Sequence, residues 1–356
     1  MSTQDYGQEL ESLIDHLVSK GASDIHFSVG RAPTIRIVGE LEPVANKDVL
    51  TIDDIEGFAH VLMRQDQYER FTQGGEVDFS FQNVSGHRFR GNMFYQQGKP
   101  GIVLRFIPGT ISSIEELNLP PILYSFAQKR QGFFLCVGPV GQGKSTTLAA
   151  MVNDINQKRA EHIVTIEDPI EYVYTPKKSM VNQREVGFDS PTFESALNSA
   201  FRQDVNVILI GEMRNRETIA TAVTAAETGH LVFSTLHTNN AAQTISRIID
   251  TFPGNQQDQI RVQLSSSLLG IFSQRLVPRI DGGRIPAFEL LVNNSAVANL
   301  IREDRIHEIS TVIETGLEYG MLDMNRSLVD LVKRGIISVD TAFAYSIDPK
   351  SLERLI

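Results

Sequence analysis

The ten residues GPVGQGKSTT, Gly138 to Thr147, constrain this chain more than any other stretch. They fit the pattern G-x-x-x-x-G-K-[ST], with Gly138, Gly143, Lys144 and Ser145 at its fixed positions. Glycines let backbone N–H groups close around phosphate oxygens with no Cβ in the way. Lys144 is placed to reach the β- and γ-phosphates of a nucleotide, and the Ser145 hydroxyl to ligate Mg²⁺. Pro139, Gly141 and Thr146 belong to the same stretch and count with the nucleotide-binding residues. FFLCVG (133–138) is a short apolar run that reads as a buried strand. STTLAAMVNDINQ (145–157) reads as a helix, whose N-terminus favours anions. Strand, glycine loop and helix in that order predict an α/β domain that binds a nucleotide.

Bulk properties narrow the remaining choices. A length of 356 residues suggests about two domains, at a prior of one per ~150. The hydrophobic fraction of 41% is enough for sizeable cores. A net charge of −10 argues against broad nucleic-acid binding, which leaves a basic footprint. The single cysteine, Cys136, excludes an internal disulfide and a Cys-based zinc site, and reads as a small buried residue. No apolar run approaches the ~18–20 residues of a membrane span. The start, MSTQDYGQELES, is polar and acidic and unlike a signal peptide. A cytoplasmic protein is expected, with no direct membrane insertion and any membrane link made through partners.

Residues 4–20 have Leu10, Leu13, Ile14 and Leu17 at helical spacing. Short strand-like runs follow: DIHFSV (24–29), TIRIVGEL (34–41), VDFSFQ (77–82), HRFRGNMFYQ (87–96) and GIVLRFI (101–107). A helical stretch runs from about Thr51 to Phe71. This is an α+β pattern rich in hairpins, and residues 1–108 are read as one small domain. The segment 109–121 reads as a linker, punctuated by Pro and Gly, with Ser113 and Glu116 spaced to cap a short helix. From 122 to 356 the character changes. FFLCVG (133–138), HIVTIED (162–168), NVILIGE (206–212) and LVFSTLH (231–237) alternate with helices, as buried parallel strands do. Each ends in a polar group, which puts the chemistry at the carboxyl edge of the sheet. After about Ala241 the chain reads as mostly helical, apart from a strand near Pro286–Leu291.

Four strand ends therefore converge on one reaction. Beside the phosphate loop, VTIEDPIEYV brings Glu167, Asp168 and Glu171 within five positions, a density that needs water, a cation or a task. Next to a nucleotide, one such carboxylate can orient or deprotonate water. NVILIGEMR delivers Glu212 from a buried strand, the logic of a Walker B carboxylate. His230 and His237 bracket the next strand, and either is a candidate for the γ-phosphate or its water. Arginines stabilise the charge that builds up in phosphoryl transfer. Candidates are Arg202, Arg214, Arg216 and Arg247, and in the first domain Arg88 and Arg90, two apart on one face of a strand. If QQGKPG (96–101) is a hairpin turn, Arg105 joins that face.

With these residues in hand, the chain resembles the type IV pilus retraction ATPases, the PilT family of secretion-type AAA-like motors, over nearly its whole length. GASDIHF (21–27) and VNQREVG (181–187) match family stretches. TIEDPIEYV looks like the Asp box, ILIGEMR (208–214) like Walker B, and AAETGHLVFSTLHT (225–238) like the His box. The resemblance implies a PAS-like N-terminal domain linked to a RecA-like ATPase domain with a helical C-terminal part. It implies a homohexameric ring that hydrolyses Mg-ATP at subunit interfaces, at the cytoplasmic face of the inner membrane, acting on a membrane platform protein. Carried over by motif, Glu171 and Glu212 are the catalytic glutamates, Glu212 also holding metal through water. His230 and His237 fall in the His box, and Arg88, Arg90 and Arg105 approach the nucleotide from the ring interface. Two departures stand out. AVANLIRE (296–303) has Ala298 where retraction motors often carry arginine, and Asn215 follows Walker B where Asp is common. The first keeps an accessory or regulatory ATPase as an alternative. A type IV pilus extension or type II secretion ATPase is the other alternative, disfavoured by the single cysteine and the short N-terminal part.

Overall fold

The computed structural model describes residues 3–37, 39–107 and 109–356. Val38, within the expected run TIRIVGEL, and Pro108, at the expected domain boundary, lie outside the described residues, as do Met1 and Ser2. The chain divides into two units, Met1–Thr110 and Ile111–Ile356.

The first unit contains α1 (Thr3–Ser19), β1 (Asp24–Ser28), β2 (Thr34–Ile37), β3 (Glu40–Pro43), α2 (Ile52–Leu62), α3 (Gln65–Gly74), β4 (Glu76–Gln82), β5 (Arg88–Gln96) and β6 (Lys99–Ile107). The strands form one antiparallel sheet in the order β3-β2-β1-β6-β5-β4. Leu10, Leu13, Ile14 and Leu17 of α1 are fully buried, as their spacing predicts. They share a core with Ile55 and Phe58 of α2 and Phe27, Phe79 and Phe89 of the sheet. TIRIVGEL divides between β2 and β3, which pair with each other. The helical stretch 51–71 is two helices, because Met63 and Arg64 take extended backbone between them.

The second unit holds α4 (Ile122–Ala127), β7 (Gly132–Val137), α5 (Lys144–Lys158), β8 (His162–Glu167), β9 (Met180–Glu185), α6 (Phe193–Ala200), β10 (Val207–Ile210), α7 (Arg216–Glu227), β11 (Leu231–Leu236), α8 (Ala241–Asp250), α9 (Gly254–Ser267), β12 (Leu268–Pro278) and β13 (Arg284–Val292). Helices α10 (Ser295–Arg302), α11 (Ile309–Thr315), α12 (Met324–Lys333), α13 (Val339–Tyr345) and α14 (Pro349–Glu353) complete it. The sheet order is β13-β12-β7-β11-β10-β8-β9, parallel except for β13. Every residue of β7, β10 and β11 is buried. Alternate residues of β7 serve two cores, because a strand's side chains point to opposite faces. Phe133, Leu135 and Val137 pack with α6 to α10, while Phe134 and Cys136 pack with α4 and α5.

Three features differ from expectation. The segment 109–121 is not a free linker from Ile111 on. Ile114 and Leu119 are buried against Leu123, Phe126 and Phe134, so they extend the second unit's core. Ser113 and Glu116 do bond reciprocally, at 2.8 and 3.2 Å, but they close a turn rather than a helix. The region after Ala241 is less helical than its pattern suggests. Strand β12 follows α9 with no Gly or Pro between them, so no turn signal marks its start. Strand β9 is polar and half-buried, which hid its period.

Candidate active site

The phosphate loop joins β7 to α5, with Gly138, Gly141 and Gly143 at φ values of 144°, 75° and 78°. Lys144 is 7% exposed and folds back over the loop. Its ammonium donates to Gly138 O at 2.8 Å and Pro139 O at 2.9 Å. Burial lowers its pKa, while the nearby Glu171 and Glu212 carboxylates act to raise it. Burial pushes the Cys136 thiol up to about 12, so it stays neutral beside the lysine, a packed small residue.

The Lys144 Nζ also lies 3.4 Å from His237 Nδ1. An ammonium has no acceptor, so Nδ1 accepts and the imidazole carries its hydrogen on Nε2. That nitrogen faces Glu212 Oε2 at 3.4 Å, and Arg214 pairs with Oε1 of the same carboxylate. Three strand ends are thus linked in a chain from phosphate loop to histidine to the Glu212 carboxylate. The parallel register makes this possible: β7, β11 and β10 stop at one edge, and Thr235 of β11 holds Gly211 O at 2.7 Å.

The fourth strand end brings Glu171. Its backbone N–H donates to Glu167 Oε2 at 3.2 Å, and Thr165 donates to Oε1 of the same carboxylate at 2.7 Å. Burial pushes Glu167 up to about 7, with Glu171's charge acting the same way. Glu167 braces the loop through its bond to the Glu171 backbone, and Asp168 is exposed. Tyr172, which sequence reasoning did not single out, reaches Thr146 of the phosphate loop, hydroxyl to hydroxyl at 2.8 Å. It ties the loop carrying Glu171 to the first turn of α5.

His230 is not brought to this group. It precedes β11, whose six residues separate it from His237 by ~20 Å. Its Nδ1 lies 3.0 Å from Ala225 O at the end of α7, and its ring stands edge-on to Phe201. The motif spans both edges of a parallel sheet, so its two histidines cannot share one site within a chain. Asn215 caps α7, its Oδ1 accepting from Thr218 N at 2.9 Å, which is the work an Asp there would do. Arg202 is exposed, Arg216 pairs with Glu217, and Arg247 lies in the last turn of α8. Ala298 sits half-buried on α10, beside the buried Val297.

In the first unit, β5 and β6 form a hairpin through Gln97 and Gly98, both at positive φ. Arg90 stands directly opposite Arg105, with Arg88 two residues away on the same strand. The row continues through β1 and β2, since Arg105 pairs with Asp24 and Asp24 with Arg36. Asp24 is 3% exposed and accepts from Arg105 Nε at 2.8 Å, with Arg36 Nε at 3.9 Å. Asp24 and Arg36 escaped the sequence reading because only the sheet's register sets them beside Arg105.

Residues 4–316 match the model of the family described as type II/IV secretion system protein. The type IV pilus retractation ATPase PilT of Pseudomonas aeruginosa is 42% identical over 334 residues, covering 94% of this chain and 97% of that protein. The twitching motility protein of Neisseria gonorrhoeae is 46% identical over 311 residues, covering 87% of this chain and 83% of that one. A crystal structure of the pilus retraction motor PilT with bound ADP superimposes with a TM-score of 0.90 at 45% identity, covering 96% of this chain and 98% of that one. With the phosphate loop, the Lys144–His237–Glu212 chain and the sheet order in place, these likenesses make the chain a nucleotide-binding ATPase that belongs to the type II/IV secretion system protein family.

Proposed function

We propose that this ATPase is the motor of type IV pilus retraction, converting ATP hydrolysis into withdrawal of pilin from the fibre. The observation that carries the reading is the Lys144–His237–Glu212 chain, set in a fold that matches a retraction motor over nearly the whole chain. Gly138, Pro139, Gly141, Gly143, Lys144, Ser145 and Thr146 bind the phosphates. Lys144 already sits among acceptor oxygens, so phosphate oxygens replace the Gly138 and Pro139 carbonyls as its partners. Glu171 and Glu212 orient the attacking water and take up its proton, and His237 couples Glu212 to the loop. The donor set fits Mg²⁺, a hard cation that takes a hydroxyl, one or two carboxylates and nucleotide oxygens. Among the described residues no cluster of three or more acidic, His or Cys ligands exists, and Mg²⁺ at a nucleotide needs none. Ser145 and Glu212, the latter through water, would hold it, and it would neutralise charge on the phosphates.

The active assembly in this reading is a homohexamer, in which Arg88, Arg90 and Arg105 of one subunit stabilise the transition state at the nucleotide of another. Its partner is the inner-membrane platform protein of the pilus, met from the cytoplasm. No described helix is long and apolar enough to cross a membrane. The test is genetic. Deletion of the gene leaves many static surface pili and no twitching, restored by the wild-type gene and not by Lys144→Ala. Absent pili would assign the chain to extension, and unchanged pili and motility to an accessory role.

A further inference from the structure

Strand β12 outruns its neighbour β7. Their pairing ends with Ser273 opposite Val137, where the phosphate loop begins, while β12 continues against β13 to Pro278. The overhang, Gln274 to Leu276, is the wall on which the loop is folded. Gln274 is 2% exposed. Its Oε1 accepts from Thr147 Oγ1 at 2.6 Å, and its Nε2 donates to Gln142 O at 2.7 Å. Gln142 answers from the loop, its Oε1 accepting from Leu276 N at 2.6 Å. The residue between Gly141 and Gly143 is thereby fixed at its carbonyl by a side chain of β12 and at its side chain by the backbone of β12. The approach is close. A Cβ on Gly143 would lie 2.9 Å from Gln274 Nε2, and one on Gly138 only 2.4 Å from Gln274 O.

The chemistry of the clamp is specific to a primary amide. It must accept from a hydroxyl on α5 and donate to a carbonyl of the loop, which a neutral amide does and a carboxylate or thioether does not. Fixing the Gln142 carbonyl fixes the plane of the 142–143 peptide, because that unit is planar. The plane in turn aims the Gly143 N–H, one of the groups that close on phosphate. A loop held in this form binds without first being ordered, and a released one does not.

We propose that Gln274, with Gln142 as its counterpart, is a positioning residue for nucleotide, holding the phosphate loop in its binding geometry without touching the ligand. This rests on reading the loop as the nucleotide site and adds the strand that shapes it. The test uses the full chain carrying Gln274→Met, which keeps the volume, and Gln142→Ala, which trims a half-buried side chain and leaves the core untouched. Equilibrium ADP binding, steady-state ATP hydrolysis and melting without nucleotide are measured for each. Both variants should weaken ADP binding and raise KM for ATP about tenfold, the worth of one or two lost hydrogen bonds, while kcat falls less than about threefold. The double variant should be no worse than the stronger single one, since the two side chains act as a unit. ADP affinity within about twofold of wild type in both folded variants, or a loss confined to kcat, would overturn the proposal. Failure of the wild-type protein to bind ADP would overturn the site assignment together with it; wild-type binding beside unchanged variants would overturn the clamp alone.

Discussion

Two glycines of the phosphate loop should respond differently to the same substitution, and the reason is local. Gly141 has a φ of 75° and open space around its missing Cβ, with nothing within 4 Å. Alanine there bears only the left-handed backbone cost, about 1–2 kcal/mol. Gly138 has a φ of 144°, which L side chains rarely adopt, at a cost of about 1–3 kcal/mol. Its Cβ would also lie 2.4 Å from the Gln274 carbonyl oxygen, about an ångström inside the ~3.5 Å of a favourable contact. That oxygen is backbone in a paired strand, so it cannot swing aside as a side-chain end would. Overpacking of this kind costs about 1–3 kcal/mol. Gly138→Ala should therefore cost roughly 2–6 kcal/mol. At about 2–4 °C per kcal/mol for a unit of this size, that is a loss of roughly 4–24 °C in Tm, against roughly 2–8 °C for Gly141→Ala. Scanning calorimetry without nucleotide separates the two. Equal shifts, or a larger one for Gly141→Ala, would refute the claim that β12 backs the loop this closely.

Two further outcomes follow from the site and its flank. Glu212→Gln keeps the shape of the carboxylate that meets His237 and Arg214 but removes its charge and basicity. ADP affinity should stay within a few-fold while kcat drops about 10²–10⁴, the range for a positioned base; near-normal turnover would remove Glu212 from that role. Glu289, on β13, caps α8 by accepting from Ala241 N at 2.7 Å, and burial raises it from 4.5 to about 7, with Asp323 adding repulsion. The folded chain thus keeps a proton that the unfolded chain has lost between these values, so stability falls as pH rises through that window, by about 3 kcal/mol. Glu289→Gln still accepts from Ala241 N and should flatten part of this slope, leaving the variant more stable than wild type at pH 8. Glu167, raised similarly, sustains the rest. A slope between pH 5 and 8 that the variant leaves unchanged would count against the assignment.

The sequence by itself determined the strands that carry chemistry, because continuous apolar runs ending in Gly138, Glu167, Glu212 and His237 leave a buried parallel sheet as their one economical arrangement. It raised the hairpin around residues 96–101 only as a condition; the two-residue turn at Gln97 and Gly98, and the register that sets Arg90 opposite Arg105, come from the strand pairing. Local pattern carries this much because each signal lies within a few residues of what it specifies. Tertiary structure alone decided which groups meet. The parallel reading already put His237 rather than His230 at the carboxyl edge, but the partners themselves, Lys144 for His237 and Ala225 O for His230, come from the packing. Asp24 becomes the partner of Arg105 through strand pairing between residues far apart in the chain. Gln274 stands 127 positions from Thr147, in a strand with no turn signal before it, and it reaches the loop because β12 runs past the end of β7. A one-dimensional pattern records period and polarity. It does not record how far one strand extends beyond its neighbour, and that overhang is what walls the phosphate loop.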